Sequence, residues 1–207
     1  MAKSQQTGPE AAAPRLYLVA AADCPPAELS AALEAADIAC VLLLSGELDE
    51  HALRAAVEVR RPLAQARDVA VLLQDRVALA AETGCDGVHL SDPKDLAAAR
   101  QRLGEEAILG VGCGASRHDA ITAAERGADY VAFGAPEPAA TPDPGPADPE
   151  LLGWWQPLMN LPCVAFGAAA PGDCARLAAA GADFVAATPD LDLASCRAAL
   201  EAAPVQA

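Results

Sequence analysis

Three stretches of the chain end alike: ETGCDGVHL at 82–90, ERGADYVAF at 125–133 and AAGADFVAA at 179–187. Each closes an Ala-rich, helix-leaning run with a glycine, the residue that takes the left-handed conformation past a helix C-terminus. Each then sets an aspartate at the head of an apolar run. A helix that stops on glycine and hands the chain to an apolar strand, three times over, makes parallel strands joined by crossover helices.

The rest of the chain keeps the same alternation. Apolar, β-leaning runs lie at 15–20, 38–44, 69–73, 87–90, 107–111, 130–134, 163–167 and 184–187, with helix-leaning runs between them and after the last. The strands are nearly continuous in apolar residues, as expected when both faces are buried. Eight strand–helix units predict an α/β fold, a single-domain (β/α)8 TIM barrel over residues 15–203. Residues 1–14, small and polar, read as a loose tail. The alternative is a doubly wound open sheet. Against it, no G-x-G-x-x-G follows an early strand, and GVGCGAS at 110–116 has the wrong spacing and comes late.

Charge removes several function classes. The net charge is −15, with lysine only at positions 3 and 94. A nucleic-acid partner needs a basic surface to displace counterions, so none is expected, and an anionic membrane is an equally poor partner. No apolar run reaches the roughly 18 residues of a membrane span. The first residues lack the apolar core of a secretory signal. A cytoplasmic protein is expected, and a homo-oligomer is compatible with the sequence. The seven cysteines are scattered without a C-x-x-C, which argues against a disulfide scaffold or structural zinc. They read as small buried apolar residues. Cys113 stays a candidate, because it ends an apolar run where a catalytic loop begins.

In a barrel, chemistry collects on the loops that follow the strands. Asp75 follows the third strand; Asp92 and Asp95 follow the fourth. Adjacent strands lie about 4.8 Å apart, so Asp75 and one of the other two can share a cation. Mg²⁺ takes one or two carboxylates and completes its shell with water and phosphate oxygens. The other reading makes Asp75 and Asp92 caps of the helices they precede. After the fifth strand, Gly112 and Gly114 lead into a helix whose backbone N–H groups can meet an anion, with Arg117 and His118 beside them; otherwise Ser116 is simply that helix's cap. His89, inside a strand, reads as a hydrogen-bonded core histidine. Trp154 and Trp155 read as helix packing. No Lys, Arg or His occurs from 127 to 175, which holds the loops after strands 6 and 7.

The runs QDRVALAAETGCDGVHLSD, AILGVGCGASRHDAITAAERGADYVAFGA, ADPELLGWWQPLMNLPCVAFGA and AAGADFVA resemble the thiamine-phosphate synthases and their thiazole tautomerase relatives. The resemblance runs from strand 3 to strand 8. It implies a (β/α)8 barrel and a reaction joining a pyrimidine methyl pyrophosphate to a thiazole phosphate, with Mg²⁺ as cofactor and pyrophosphate leaving. It assigns Asp75 to the metal, with Asp92 and Asp95 competing for the second place and Lys94 as the alternative occupant of that place. Gln74 and Arg76 fall in the family's Asn-Asp-Arg. Gly112, Cys113, Thr141, Gly167 and Ala168 fall in its substrate loops. A ligand related to thiamine precursors is implied.

The departures concentrate on phosphate. Gln-Leu-Arg-Glu-Lys at the end of strand 2 is replaced by Leu42 to Gly46. The phosphate-binding Ser is Gly112, and the tautomerase histidine falls at Gly114. Pro-Thr-x-Thr-Lys is replaced by Pro138 to Pro142, and Gly-Gly by Gly167-Ala168. The expectation is a thiamine-phosphate synthase-like barrel with weak or lost activity, or a non-catalytic relative that binds an uncharged ligand or a protein partner. Another phosphosugar-type barrel meets the same shortage of cations.

Overall fold

The computed structural model describes residues 13–136 and 145–203. Eight strands alternate with eight helices: β1 (Arg15–Ala21), α1 (Pro26–Ala35), β2 (Ile38–Leu44), α2 (Glu50–Gln65), β3 (Ala70–Gln74), α3 (Val77–Thr83), β4 (Gly87–Leu90), α4 (Leu96–Leu103), β5 (Ile108–Gly114), α5 (Arg117–Glu125), β6 (Tyr130–Phe133), α6 (Pro149–Trp155), β7 (Cys163–Ala165), α7 (Pro171–Ala179), β8 (Phe184–Ala187) and α8 (Leu193–Glu201). The strands form one closed barrel in chain order. β8 returns to pair in parallel with β1, Leu16 opposite Val185. That closure overturns the open-sheet alternative.

The three echoing joints have a common bond pattern. Gly84 ends α3 with φ 72°, and Gly127 and Gly181 repeat the left-handed turn at 84° and 107°. The aspartate two residues on then clamps the preceding strand. Asp86 Oδ2 accepts from the Val71 N–H at 2.7 Å, Asp129 Oδ2 from the Leu109 N–H at 2.7 Å and Asp183 Oδ2 from the Cys163 N–H at 2.8 Å. In return each aspartate's own N–H donates to the carbonyl of the same residue, at 2.9, 2.8 and 3.1 Å. The motif thus locks β4 to β3, β6 to β5 and β8 to β7 at their N-terminal ends. Asp37, heading β2, is held by Arg15 of β1 at 2.9 Å instead, completing a fourth pair.

Strand alternation sorts the core into two layers. Tyr17, Leu42, Leu72, Tyr130, Val164 and Phe166 fill the barrel interior. Val41, Leu43, Val71, Leu73, Val131 and Val185 face outward onto the helices. Trp155 is buried among them and donates its indole N–H to the Leu161 carbonyl at 2.9 Å. Among the described residues no helix is long and apolar enough to cross a membrane.

Candidate functional site

The C-terminal ends of the strands form the mouth where such a barrel does its chemistry. On β2 the alternation puts Leu42 and Leu44 inside the barrel and Leu43 outside. Leu42 is fully buried and Leu44 is 9% exposed. These are the positions where the resemblance expects glutamine and arginine. Phe166, at the end of β7, closes the same space. Val19 and Leu44 help to floor a cavity of about 420 Å³ bordered by the loops after β1, β2 and β8. Its rim carries the carboxylates of Asp23, Glu28, Glu47 and Asp190.

Asp75 stands at the end of β3 with φ 53°, a left-handed conformation unusual for a residue with a Cβ. Its N–H donates to the His89 carbonyl at 3.0 Å. The turn aims the carboxylate sideways at the β4 loop. Oδ1 accepts from the Ser91 N–H at 2.7 Å and Oδ2 from the Ser91 hydroxyl at 2.6 Å. Asp75 therefore does not cap α3, which begins at Val77 after an Arg76 that makes no side-chain cap. Arg76 is exposed, and Gln74 is half-buried at the end of β3, in phase with the interior residues Ala70 and Leu72.

Asp92 is a cap: it accepts from the Lys94 N–H at 2.9 Å and opens the 3₁₀ turn Pro93–Asp95. The Lys94 N–H, chiefly, holds its carboxyl below the usual range, and the Lys94 ammonium at 3.4 Å adds to this. Asp75, Asp92 and Asp95 border one open cavity of about 680 Å³, together with Arg102. Among the described residues no three His, Cys, Asp or Glu side chains gather closely enough to hold a metal ion.

The end of β5 is shaped by missing side chains. A Cβ on Gly110 would lie 1.8 Å from the Tyr130 ring, and one on Gly112 would lie 3.2 Å from His89 Nε2. Glycines here let His89 of β4 and Tyr130 of β6 lie across β5. His89 is 1% exposed and its Nδ1 is 2.9 Å from the Tyr130 hydroxyl. Burial lowers the imidazole pKa to about 4, against a weaker pull upward from the Asp75 carboxylate. Cys113 lies in the layer facing the helices, and burial pushes its thiol up to about 12. A thiol so raised stays protonated at neutral pH, the less nucleophilic form. Ser116 caps α5 by accepting from the Asp119 N–H at 3.1 Å.

Lys94, His118 and Arg126 line a separate cavity of about 300 Å³ that also holds Asp92 and Asp119. Gly167 follows β7 with φ 95°, packed so closely that a Cβ would meet Pro146 at 2.5 Å. Ala168 beside it is half-buried. Thr141 and its neighbours Pro138 to Pro142 lie outside the described residues.

Two features were not anticipated from the sequence. One is Ser91 as the partner of Asp75. The other is the buried tyrosine pair: Tyr17 and Tyr130 hydroxyls meet at 2.8 Å inside the barrel. The available signal was that the chain's two tyrosines both fall in strands at interior-facing positions.

A closed parallel barrel with its polar loops at the C-terminal mouth places the chain in the TIM-barrel class that carries its sites on the βα loops. Sequence comparison then narrows the class. The thiamine monophosphate synthase family (TMP-TENI) profile matches residues 16–191. The chain belongs to that family. A thiamine-phosphate synthase of Rhodospirillum centenum is 50% identical over 182 residues, covering 83% of this chain and 86% of that one. One of Erythrobacter litoralis is 44% identical over 162 residues, covering 75% of each. Among solved structures, a thiamine phosphate pyrophosphorylase from Pyrococcus furiosus superposes with TM-score 0.76 at 20% identity, over 90% of this chain and 95% of that one. The GGGPS of Thermoplasma volcanium superposes with TM-score 0.66 at 15% identity, over 92% of each. These two likenesses speak to the fold alone.

Proposed function

We propose that this chain is a thiamine-phosphate synthase-like protein with weak or lost synthase activity, whose barrel mouth takes an uncharged ligand related to thiamine precursors. The observation that carries the reading is the burial of Leu42 and Leu44 inside the barrel, where the family resemblance implies glutamine and arginine. Each charge-assisted hydrogen bond to a phosphate is worth about 1.5–3 kcal/mol. Losing the two cations implied at the end of β2, the arginine and the lysine, removes about 3–6 kcal/mol, or roughly 10²–10⁴ in rate or affinity. The acidic rim of Asp23, Glu28, Glu47 and Asp190 adds repulsion. Lys94 and Arg126 share their cavity with Asp92 and Asp119, which leaves Arg76, exposed just past the end of β3, as a cation beside the mouth.

Mg²⁺ has Asp75 as its first candidate anchor, with Asp92 and Asp95 bordering the same cavity. Asp75 would hold it weakly, since both its oxygens already accept from Ser91. The ion would supply positive charge beside a lone-pair atom of the ligand. The residues of the chain would orient the ligand, with Gln74 as an amide at the end of β3 and Phe166 as an apolar wall. The test is calorimetry with pyrimidine methyl pyrophosphate and with the corresponding pyrimidine methyl alcohol, each with Mg²⁺. The alcohol should bind at least as tightly as the pyrophosphate. A pyrophosphate preference of 100-fold or more, about 2.7 kcal/mol, would overturn the reading.

A further inference from the structure

His89, Tyr130 and Tyr17 form a chain of buried polar groups that neither the barrel's packing nor the family's phosphate chemistry requires. His89 Nδ1 lies 2.9 Å from the Tyr130 hydroxyl, which lies 2.8 Å from the Tyr17 hydroxyl. The imidazole is stacked on the Tyr130 ring, with centroids 5.8 Å apart and planes 24° apart. The Phe166 ring meets it edge-on at 5.6 Å. Register fixes the direction in which the imidazole points. Tyr130 pairs with Gly110, whereas Nε2 lies near Gly112, two residues nearer the C-terminal mouth. The ring therefore spends its lower nitrogen on Tyr130 and turns its upper nitrogen toward the site.

Proton order in the chain follows from donor and acceptor strength. The network can run in two directions. In one, the Tyr17 hydroxyl donates to Tyr130 and the Tyr130 hydroxyl donates to Nδ1, a strong sp² nitrogen acceptor. In the other, Nδ1–H donates to Tyr130, Tyr130 donates to Tyr17, and the last hydroxyl is left with the neighbouring Cys40 sulfur, a weak acceptor. Among these three groups the first direction makes the better set of bonds in a buried site, where a poorly met hydroxyl is costly, and it leaves the Nε2–H without a partner among them.

We propose that Tyr130, braced by Tyr17, is a positioning residue that fixes His89 in the tautomer carrying its proton on Nε2, so that the barrel presents an N–H donor beside Gly112 to an acceptor atom of the bound ligand. The ligand class is a neutral molecule with a carbonyl oxygen or unprotonated ring nitrogen. The glycine at 112 leaves out the Cβ that would otherwise lie 3.2 Å from that nitrogen. This inference rests on the uncharged-ligand reading for its occupant, but the tautomer is measurable without any ligand.

The chain has three histidines and two tyrosines, so ¹⁵N-labelled protein gives three imidazole spin systems. Long-range ¹H–¹⁵N correlation at pH 7 should give His89 a pyrrole-type shift at Nε2 and a pyridine-type shift at Nδ1. Tyr130→Phe should abolish that preference, giving a mixture or the opposite tautomer, while Tyr17→Phe should keep it. Titration with pyrimidine methyl alcohol should show about tenfold weaker binding to Tyr130→Phe. A proton on Nδ1 in the wild type, or an unchanged tautomer in a folded Tyr130→Phe, overturns the proposal. If Tyr130→Phe does not fold, 3-fluorotyrosine in both tyrosines takes its place. A more acidic phenol should move the Nδ1 resonance, and an unmoved resonance overturns the proposal. If the alcohol does not bind the wild type, the uncharged-ligand reading fails by itself, and the tautomer measurements still decide the role of Tyr130.

Discussion

Asp86→Ala tests whether the repeated joints hold the barrel together. Asp86 Oδ2 accepts from the Val71 N–H at 2.7 Å and from Gln65 Nε2 at 2.9 Å. Val71 is fully buried, so removing the carboxylate leaves its N–H without that acceptor and out of reach of bulk water. A charge-assisted bond contributes about 1.5–3 kcal/mol, and an unmet buried donor costs about 1–3 kcal/mol. These are two views of one loss, and they place the cost at about 2–3 kcal/mol. For a chain of this size each kcal/mol moves Tm by roughly 2–4 °C, so a fall of about 4–12 °C is expected. Asp86→Asn keeps an oxygen facing Val71 and loses only the charge, so it should cost about 1 kcal/mol. Urea and thermal unfolding followed by circular dichroism measure both variants. A cost under about 0.5 kcal/mol for Asp86→Ala, or equal costs for the two variants, would refute the clamp.

Three other outcomes are expected. Leu44→Arg should raise the affinity for inorganic pyrophosphate about tenfold, one charge-assisted bond; calorimetry showing no gain would mean that position 44 does not reach the ligand. Asp75→Asn should abolish weak Mg²⁺ binding in a titration, and an unchanged affinity would leave Asp75 only as the anchor of Ser91. His89 titrates near 4 in the folded chain and about 6.5 unfolded, so the unfolded state binds the extra proton below pH 6.5. Stability should therefore fall by about 2 kcal/mol between pH 7 and pH 5 through this group, and urea midpoints of His89→Gln should lack that share of the dependence.

The barrel was legible because its signals are local. Gly84 and Asp86 sit two residues apart, so one short string encodes both the left-handed turn and the clamp. That Leu42 and Leu44 share one face follows from the two-residue alternation of a strand, but only the closed barrel shows that this face is the inner one. The ends of strands were harder. β5 runs on to Gly114, because GCG at 112–114 reads as a loop until the His89 and Tyr130 rings that fill the strand's bare face are in place. β7 stops at Ala165, two residues short of the apolar run. The site itself depends on distant pairs. Asp75 and Ser91 are 16 residues apart and Tyr17 and Tyr130 are 113 apart. No local pattern in the chain records either meeting, and only barrel closure brings the two tyrosines together.

The central claim is that a family barrel has kept its walls and given up its phosphate chemistry. Steady-state formation of thiamine phosphate from the pyrimidine methyl pyrophosphate and the thiazole phosphate, with saturating Mg²⁺, tests it most directly. The account predicts kcat/KM at least about 100-fold below the 10⁴ M⁻¹s⁻¹ floor of ordinary enzymes, or no product at all. A wild-type value of about 10⁴ M⁻¹s⁻¹ or more would contradict it, and would mean that Leu42, Leu44 and the acidic rim leave pyrophosphate recognition intact.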